Sequence, residues 1–448
     1  MTTRQGQPLG SAAVRHDLDE LLHIISDRFA YSRANDFDYE GAIATLAAGC
    51  RGGTTVHRFG FQVCELLAGF IDGHIRVEPY RLAEGSLPVI LEPLQGRVLA
   101  VKPDRSAFMI PDLPYLESID SVPLNRWLAA AARVVPCGTP QYVFFRSVEH
   151  LLDIQHWRSV LGLATTPHVV LGLTDVEGER STTLTVPVAP GPTARNAPWP
   201  DVGSRVLDDN IGYLRLRSMR DETADHVVQQ MLAFKDSRAL IIDVRDNRGG
   251  LRSPLLALFP YLMAKDEDPE VGSVAAYRLW SGYPENHLDA RSMFSLTSSR
   301  VGRAERRVIE CFARRFEPEL DNRNGGFSDW HYLLLSGPAP YHYSAPVIVI
   351  QNDKCFSATD IFLGALRSRP NVSLLGLPSS GGSAFGVYHT LPRSGVRIRM
   401  ASMISFQPNG LLYDTRGIPV DHRVEPDPAD FVAGGRDTVL AHAVRKLT

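Results

Sequence analysis

Pro346 to Arg369 reads PVIVIQNDKCFSATDIFLGALRSR, an apolar run that passes through a short polar turn directly into a helical segment beginning near Ser357. Such a strand, turn and helix presents a serine at a helix N-terminus, where backbone N–H groups and the positive end of the helix dipole converge. Outward from this stretch the same alternation repeats. Ile211–Leu216, Ala239–Val244 and Val372–Leu375 are short aliphatic runs, and Asp225–Phe234 and Ala358–Arg367 are helix-like. Alternating strands and helices predict an α/β layer around a buried, mainly parallel sheet.

Farther upstream the pattern changes twice. Val14, Leu18, Leu21, Ile25 and Phe29 recur at three- and four-residue steps, which marks an amphipathic helix, and helical stretches follow at Tyr39–Ala48 and Thr55–Ile71. Residues 1–80 are therefore expected to form an N-terminal helical bundle. Between 85 and 190, short β-rich runs at Val98–Val101, Tyr142–Phe145 and Val169–Leu173 alternate with turn signals and one helix near Asn125–Val134, which predicts a compact β-rich module. The Pro-rich stretch Ala189–Pro200 marks a boundary, so that residues 201–448 make the α/β core. An aromatic- and Arg-rich insertion at 282–341 interrupts that core, as a lid or as a surface excursion.

Composition narrows the function classes. The 448 residues are 44% hydrophobic and 22% charged, enough apolar material for a sizeable core and too much for a disordered chain. Basic and acidic residues number 47 and 50, so the basic footprint of a nucleic-acid binder is missing. Five cysteines without a C-x-x-C pair suggest neither a disulfide framework nor a zinc knuckle. With no apolar stretch of about 18 residues and no signal-peptide core, the expectation is a cytoplasmic protein. No H-E-x-x-H and no Gly-Lys-Ser/Thr phosphate loop occurs, so no metal or cofactor is expected.

Two readings of Ser357 compete. Its hydroxyl can attack a carbonyl while the N–H of Ala358 donates to the developing oxyanion. Alternatively Ser357-Ala358-Thr359-Asp360 is a capping box, with the serine oxygen accepting from a helix amide. A second stretch, Ser237–Gly250 (SRALIIDVRDNRGG), is a buried strand ending in a polar turn whose paired glycines allow close backbone approach to a substrate. Cys355 is a second candidate nucleophile or a small packing residue. Lys354 reads as a solvated turn lysine.

Asp243-Val-Arg245-Asp-Asn247-Arg-Gly249-Gly250 and Asn352-x4-Ser357-Ala-x-Asp360 together resemble the carboxyl-terminal processing (tail-specific) serine peptidases. FIDGHIRV at 70–77, YLESIDSVPLNRWL at 115–128 and YDTRGIPVDHRVEP at 413–426 are similar to further motifs of that superfamily, which includes the tricorn core and interphotoreceptor retinoid-binding protein. The resemblance implies a PDZ-like module at 85–190, a serine peptidase domain at 201–448, and a peptide or protein substrate.

The processing peptidases use a Ser/Lys dyad with lysine about 25 positions after the serine, whereas this chain has Ser379-Ser380-Gly381-Gly382-Ser383 there. The tricorn-like branch instead uses a histidine from the helical region and a glutamate near the C-terminus, and His74 and Asp414 occupy the matching positions. The resemblance to that branch therefore implies Ser357 as nucleophile, His74 as base, and Asp414 holding the imidazole directly or through another side chain. Tyr413 and Asp421 are nearby substitutes for the acid, and Gly249, Gly250 and Ala358 are the expected oxyanion or substrate-binding amides. The retinoid-binding branch keeps open a non-catalytic ligand- or peptide-binding protein on the same fold.

Overall fold

The computed structural model describes residues 6–191, 199–281, 287–320 and 326–448. Its centre is a six-stranded sheet in the order Arg205–Leu207, Ile211–Arg215, Ala239–Asp243, Val347–Gln351, Val372–Gly376 and His422–Arg423. The first pair is antiparallel and every other pair is parallel. Ala239–Asp243 and Val347–Gln351 are buried along their whole length. Both faces of the sheet are covered, which is why these strands read as unbroken apolar runs rather than alternating ones.

Because these two strands are parallel neighbours, with Asp243 opposite Ile350, their C-terminal loops emerge side by side at one edge of the sheet. One loop leads to Gly249-Gly250 and the other to Ser357. The loops are stitched together. Asp246 N donates to Asn352 Oδ1 at 3.0 Å, Asn352 Nδ2 returns a bond to Asp246 Oδ1 at 2.7 Å, and Phe356 N donates to Asn247 O at 3.1 Å.

The β-rich module carries an antiparallel sheet of Ile90–Leu94, Arg97–Val101, Tyr115–Ile119, His168–Thr174 and Ser181–Pro187. Tyr142–Phe145, expected as a β run, lies instead in the helix Pro140–His150. The local reason is a helix start: Thr139 accepts from Tyr142 N, and Pro140 opens the first turn. The helix bears on the sheet edge, since Thr139 Oγ1 donates to Ser380 O at 2.7 Å and Tyr142 Oη to Gly73 O at 3.0 Å.

N-terminal helices form at Ser11–Arg28, Tyr39–Gly49 and Val56–Leu67. After them Arg76–Glu78 adds a strand to Arg397–Ala401, some 320 residues later in the chain, which pins the segment carrying His74 to the C-terminal half. The stretch expected as an insertion contributes Met293–Ser295 and His331–Leu335 to a four-stranded sheet with Glu270–Tyr277 and Met403–Phe406. Within it, 282–286 and 321–325 lie outside the described residues, as does 192–198 of the Pro-rich boundary.

Candidate active site

Ser357 sits immediately before the helix Ala358–Leu366 with φ 65° and ψ −122°, and its side chain makes no capping bond. A non-glycine residue in that region costs about 1–3 kcal/mol and persists only where its surroundings enforce it. The capping-box expectation therefore fails. Asp360, its supposed partner, accepts from Ser379 Oγ at 2.5 Å instead. The turn directs Ser357 Oγ away from the helix and onto His74 Nε2, 3.1 Å away.

His74 is buried, and its ring stacks on Phe356 with centroids 4.7 Å apart. Phe356 stacks in turn on Tyr142 at 5.6 Å. Gly73 and Gly382 both abut the Phe356 ring so closely that an added Cβ would collide with it. A lysine could not be carried at Gly382 without displacing Phe356, which is the physical counterpart of the missing dyad residue. Burial disfavours the imidazolium and lowers the pKa of His74, with Asp72 pulling the other way.

The carboxyl group facing His74 Nδ1 is that of Asp72, at 3.6 Å, somewhat longer than a hydrogen bond. Asp72 is fully buried, and backbone fixes it: His74 N donates to Oδ1 at 2.8 Å and Ala401 N to Oδ2 at 2.9 Å. Asp414 lies behind it, with one polar atom from each of Asp72, His74 and Asp414 within 4.8 Å of the others. Tyr31 Oη donates to Asp414 Oδ2 at 2.6 Å, while Asp414 Oδ1 has no partner. Burial, and next to it the neighbouring Asp72, raise Asp414 to about 7. Sequence reasoning missed Asp72, although it stands in the quoted FIDGHIRV two residues before the histidine. Tyr413 is buried with its hydroxyl toward Gly272 O, and Asp421 accepts from Leu374 N, so neither replaces Asp414.

The glycine turn reaches the serine. A Cβ built on Gly249 would lie 2.7 Å from both Ala358 N and Ser357 Cβ, so only glycine, at φ 89°, fits there. The amide of Gly249 itself is engaged, donating to Asn247 Oδ1 at 3.0 Å, and the same oxygen accepts from Thr359 Oγ1 at 2.8 Å. Gly250 forms a short parallel bridge to Met219. The N–H groups of Gly250 and Ala358 have no acceptor among the described residues.

Of the two neighbours of Ser357, Lys354 departs from the sequence expectation and Cys355 takes the packing role among its two readings. Lys354 is buried, paired with Glu92 and 3.6 Å from Asp246. Burial alone would lower its pKa, but Asp246 and Glu92 outweigh it and the ammonium is held charged. Cys355 is fully buried with Sγ donating to Val244 O at 3.1 Å, and burial pushes its thiol far up, so it packs rather than attacks. A cleft of about 870 Å³ opens beside the site, lined by Ile75, Arg76, Arg146, Glu149, Arg248 and Gly249. No helix among the described residues is long and apolar enough to cross a membrane.

Residues 210–424 match Peptidase family S41. Mature CPAF complexed with lactacystin superposes with a TM-score of 0.69 at 16% identity, covering 97% of each chain. Mature CPAF alone gives 0.66 at 16% identity over 94% of each. A peptidase candidate from Parabacteroides merdae ATCC 43184 gives 0.51 at 17% identity over 97% of this chain and 96% of that one. No curated protein matches the sequence. Residues 210–424 thus match peptidase family S41 in sequence, and they sit in a fold that the whole chain shares with mature CPAF.

Proposed function

We propose that the protein is a serine peptidase working through a His-Ser-acid arrangement rather than a Ser/Lys dyad, with Ser357 as nucleophile and His74 as general base. The observation that carries this reading is the 3.1 Å contact between Ser357 Oγ and His74 Nε2, made by a serine that forgoes its helix cap. Neutral His74 takes the serine proton as Oγ adds to the scissile carbonyl, and returns it to the leaving amine as the tetrahedral intermediate collapses. Water then repeats the cycle on the acyl-enzyme.

For Nε2 to be the acceptor, the ring proton must sit on Nδ1, and Asp72 is the group that favours this tautomer. Asp414 acts through Asp72 rather than on the ring. The oxyanion is held by the N–H groups of Ala358 and Gly250, both free to donate, with the N-terminus of the nine-residue helix behind them. Gly249 serves by its lack of a side chain, and its amide holds the turn. An extended peptide occupies the adjoining cleft, between the β-rich module at 85–190 and the catalytic domain at 201–448.

A serine-reactive fluorophosphonate tests the assignment. Wild type is expected to take one label at Ser357 and to lose peptide cleavage in step with labelling, while Ser357→Ala takes none and keeps its melting temperature. Labelling elsewhere, or cleavage by Ser357→Ala at the wild-type rate, overturns the nucleophile. Peptide binding by a wild type that neither labels nor cleaves would return the fold to the binding-protein reading.

A further inference from the structure

Arginine guanidinium groups buried in a protein are matched by carboxylates, because a desolvated unpaired charge is strongly unfavourable. This chain obeys the rule with one exception among the described residues. Arg105, Arg158, Arg215, Arg245, Arg369 and Lys354 are buried, and each meets an Asp or Glu. Arg252 is equally buried, 5% exposed, and meets none. Its sole bond is a weak one from Nη1 to Arg291 O at 3.5 Å, while Nε and Nη2 are buried without any acceptor. Burial, and after it the neighbouring cation Arg291, lower its pKa to about 9.

The position of this orphan charge is informative. Arg252 is two residues past Gly250, so its Cα lies within about 7 Å of the candidate oxyanion turn. Its side chain lies toward Arg291, whose guanidinium covers the Phe385 ring at 5.1 Å, and toward Tyr413, the residue before Asp414. Leu251, between the glycine turn and Arg252, is 42% exposed, an apolar side chain offered at the rim of the site. What is missing beside Arg252 is a planar anion that can take two parallel N–H bonds, which is the geometry of a carboxylate.

We propose that Arg252 is a specificity residue that receives a substrate carboxylate close to the scissile bond. The carboxylate is that of a Glu or Asp side chain. The counter-charge that every other buried cation finds within the fold is here supplied by the substrate, so the fork is completed only when a suitable peptide is bound. The inference rests on the peptidase site lying at Ser357, but not on which group activates it.

The test is binding of a fluorescent peptide panel to Ser357→Ala protein, which separates recognition from chemistry. The panel carries a single Glu or Gln stepped through every position of one neutral sequence, each peptide with a free or amidated C-terminus. At one position, Glu should bind about thirtyfold or more tighter than Gln, and adding Arg252→Met should bring that ratio close to one. A preference for the free terminus with none for Glu over Gln overturns the proposal. Equal affinity for acidic and neutral members throughout, or a preference that survives Arg252→Met, overturns the proposal.

Unliganded Arg252→Met should also melt no lower than wild type, because it removes an unpaired buried charge. A clearly lower melting temperature, or failure to fold, would make Arg252 structural and also overturn the proposal. Failure of the nucleophile assignment would be separate, seen as a wild type that discriminates Glu from Gln but takes no phosphonate at Ser357.

Discussion

Two buried charge clusters flank the turn that carries Ser357, and they are built to opposite specifications. On one side Lys354 and Arg105 share Glu92, and Lys354 also faces Asp246, which is held by Asn352 and by Trp199 N. Lys354, Arg105, Glu92 and Asp246 each have a partner there. On the other side stand Asp72, His74 and Asp414, with His74 Nδ1 and Asp414 Oδ1 both unpartnered. Buried carboxylates therefore do different work in the two clusters. A saturated cluster has no reason to change protonation and serves to lock loops together, whereas an incompletely satisfied one can pass a proton.

The contrast can be broken by mutation, and the largest effect is expected on the unsatisfied side. Asp72→Asn keeps the shape but presents an amide to Nδ1, and kcat should fall by about 10⁴, as expected when an imidazole loses the group that fixes its tautomer. Far-UV circular dichroism and melting temperature would show whether the fold is kept. A loss below tenfold would remove Asp72 from the mechanism.

On the saturated side the effect should be on stability. Lys354→Met leaves Glu92 buried with only Arg105, and unfolding in urea should show a loss of about 3 kcal/mol. The pH profile of any remaining activity should be unmoved. A shifted profile would bring Lys354 into the chemistry.

The smallest effect sharpens the role of Asp414. Its pKa is raised to about 7 from 3.8. The folded protein therefore keeps a proton that the unfolded chain releases, and this stabilisation is complete below pH 3.8 and is lost as pH rises through 7. Asp414→Asn, whose amide oxygen can still accept from Tyr31 and Ser383, should gain on the order of 2 kcal/mol relative to wild type above pH 7 and nothing at pH 4. Its kcat should fall by only about tenfold, since it acts through Asp72. Loss of stability at pH 8 would mean that the ionised carboxylate is the structural form.

The parts of this architecture that the sequence makes legible are those written in contiguous runs. Val347–Gln351 and Ala239–Asp243 are uninterrupted apolar stretches because both faces of the sheet are covered, and the turns after them carry Ser357 and the paired glycines. Pairing of parallel neighbours then brings the two turns together. What the sequence conceals is long-range satisfaction. Lys354 looks solvated because Glu92, its partner, is 262 positions away. Asp72 looks incidental until Ala401 N, 329 positions away, fixes its carboxyl group beside His74. The capping box misleads because S-x-x-D is a local pattern, whereas the φ of Ser357 is set by Gly249 and Asn247 pressing on the turn from a neighbouring loop. Tyr142–Phe145 looks β-like from its aromatic and branched residues, and is helical because Thr139 and Pro140 start a helix before it.

The account stands on His74 activating Ser357, and the pH dependence of fluorophosphonate labelling in wild type and His74→Ala tests this most directly. A neutral imidazole is the active form and burial lowers its pKa, so the wild-type rate should rise through an apparent pKa below the ordinary histidine value of about 6.5. In His74→Ala that rise should vanish and the rate at pH 7 should drop by about 10⁴ or more. A wild-type rate that rises only above about pH 8, or labelling of His74→Ala at the wild-type rate, would contradict it.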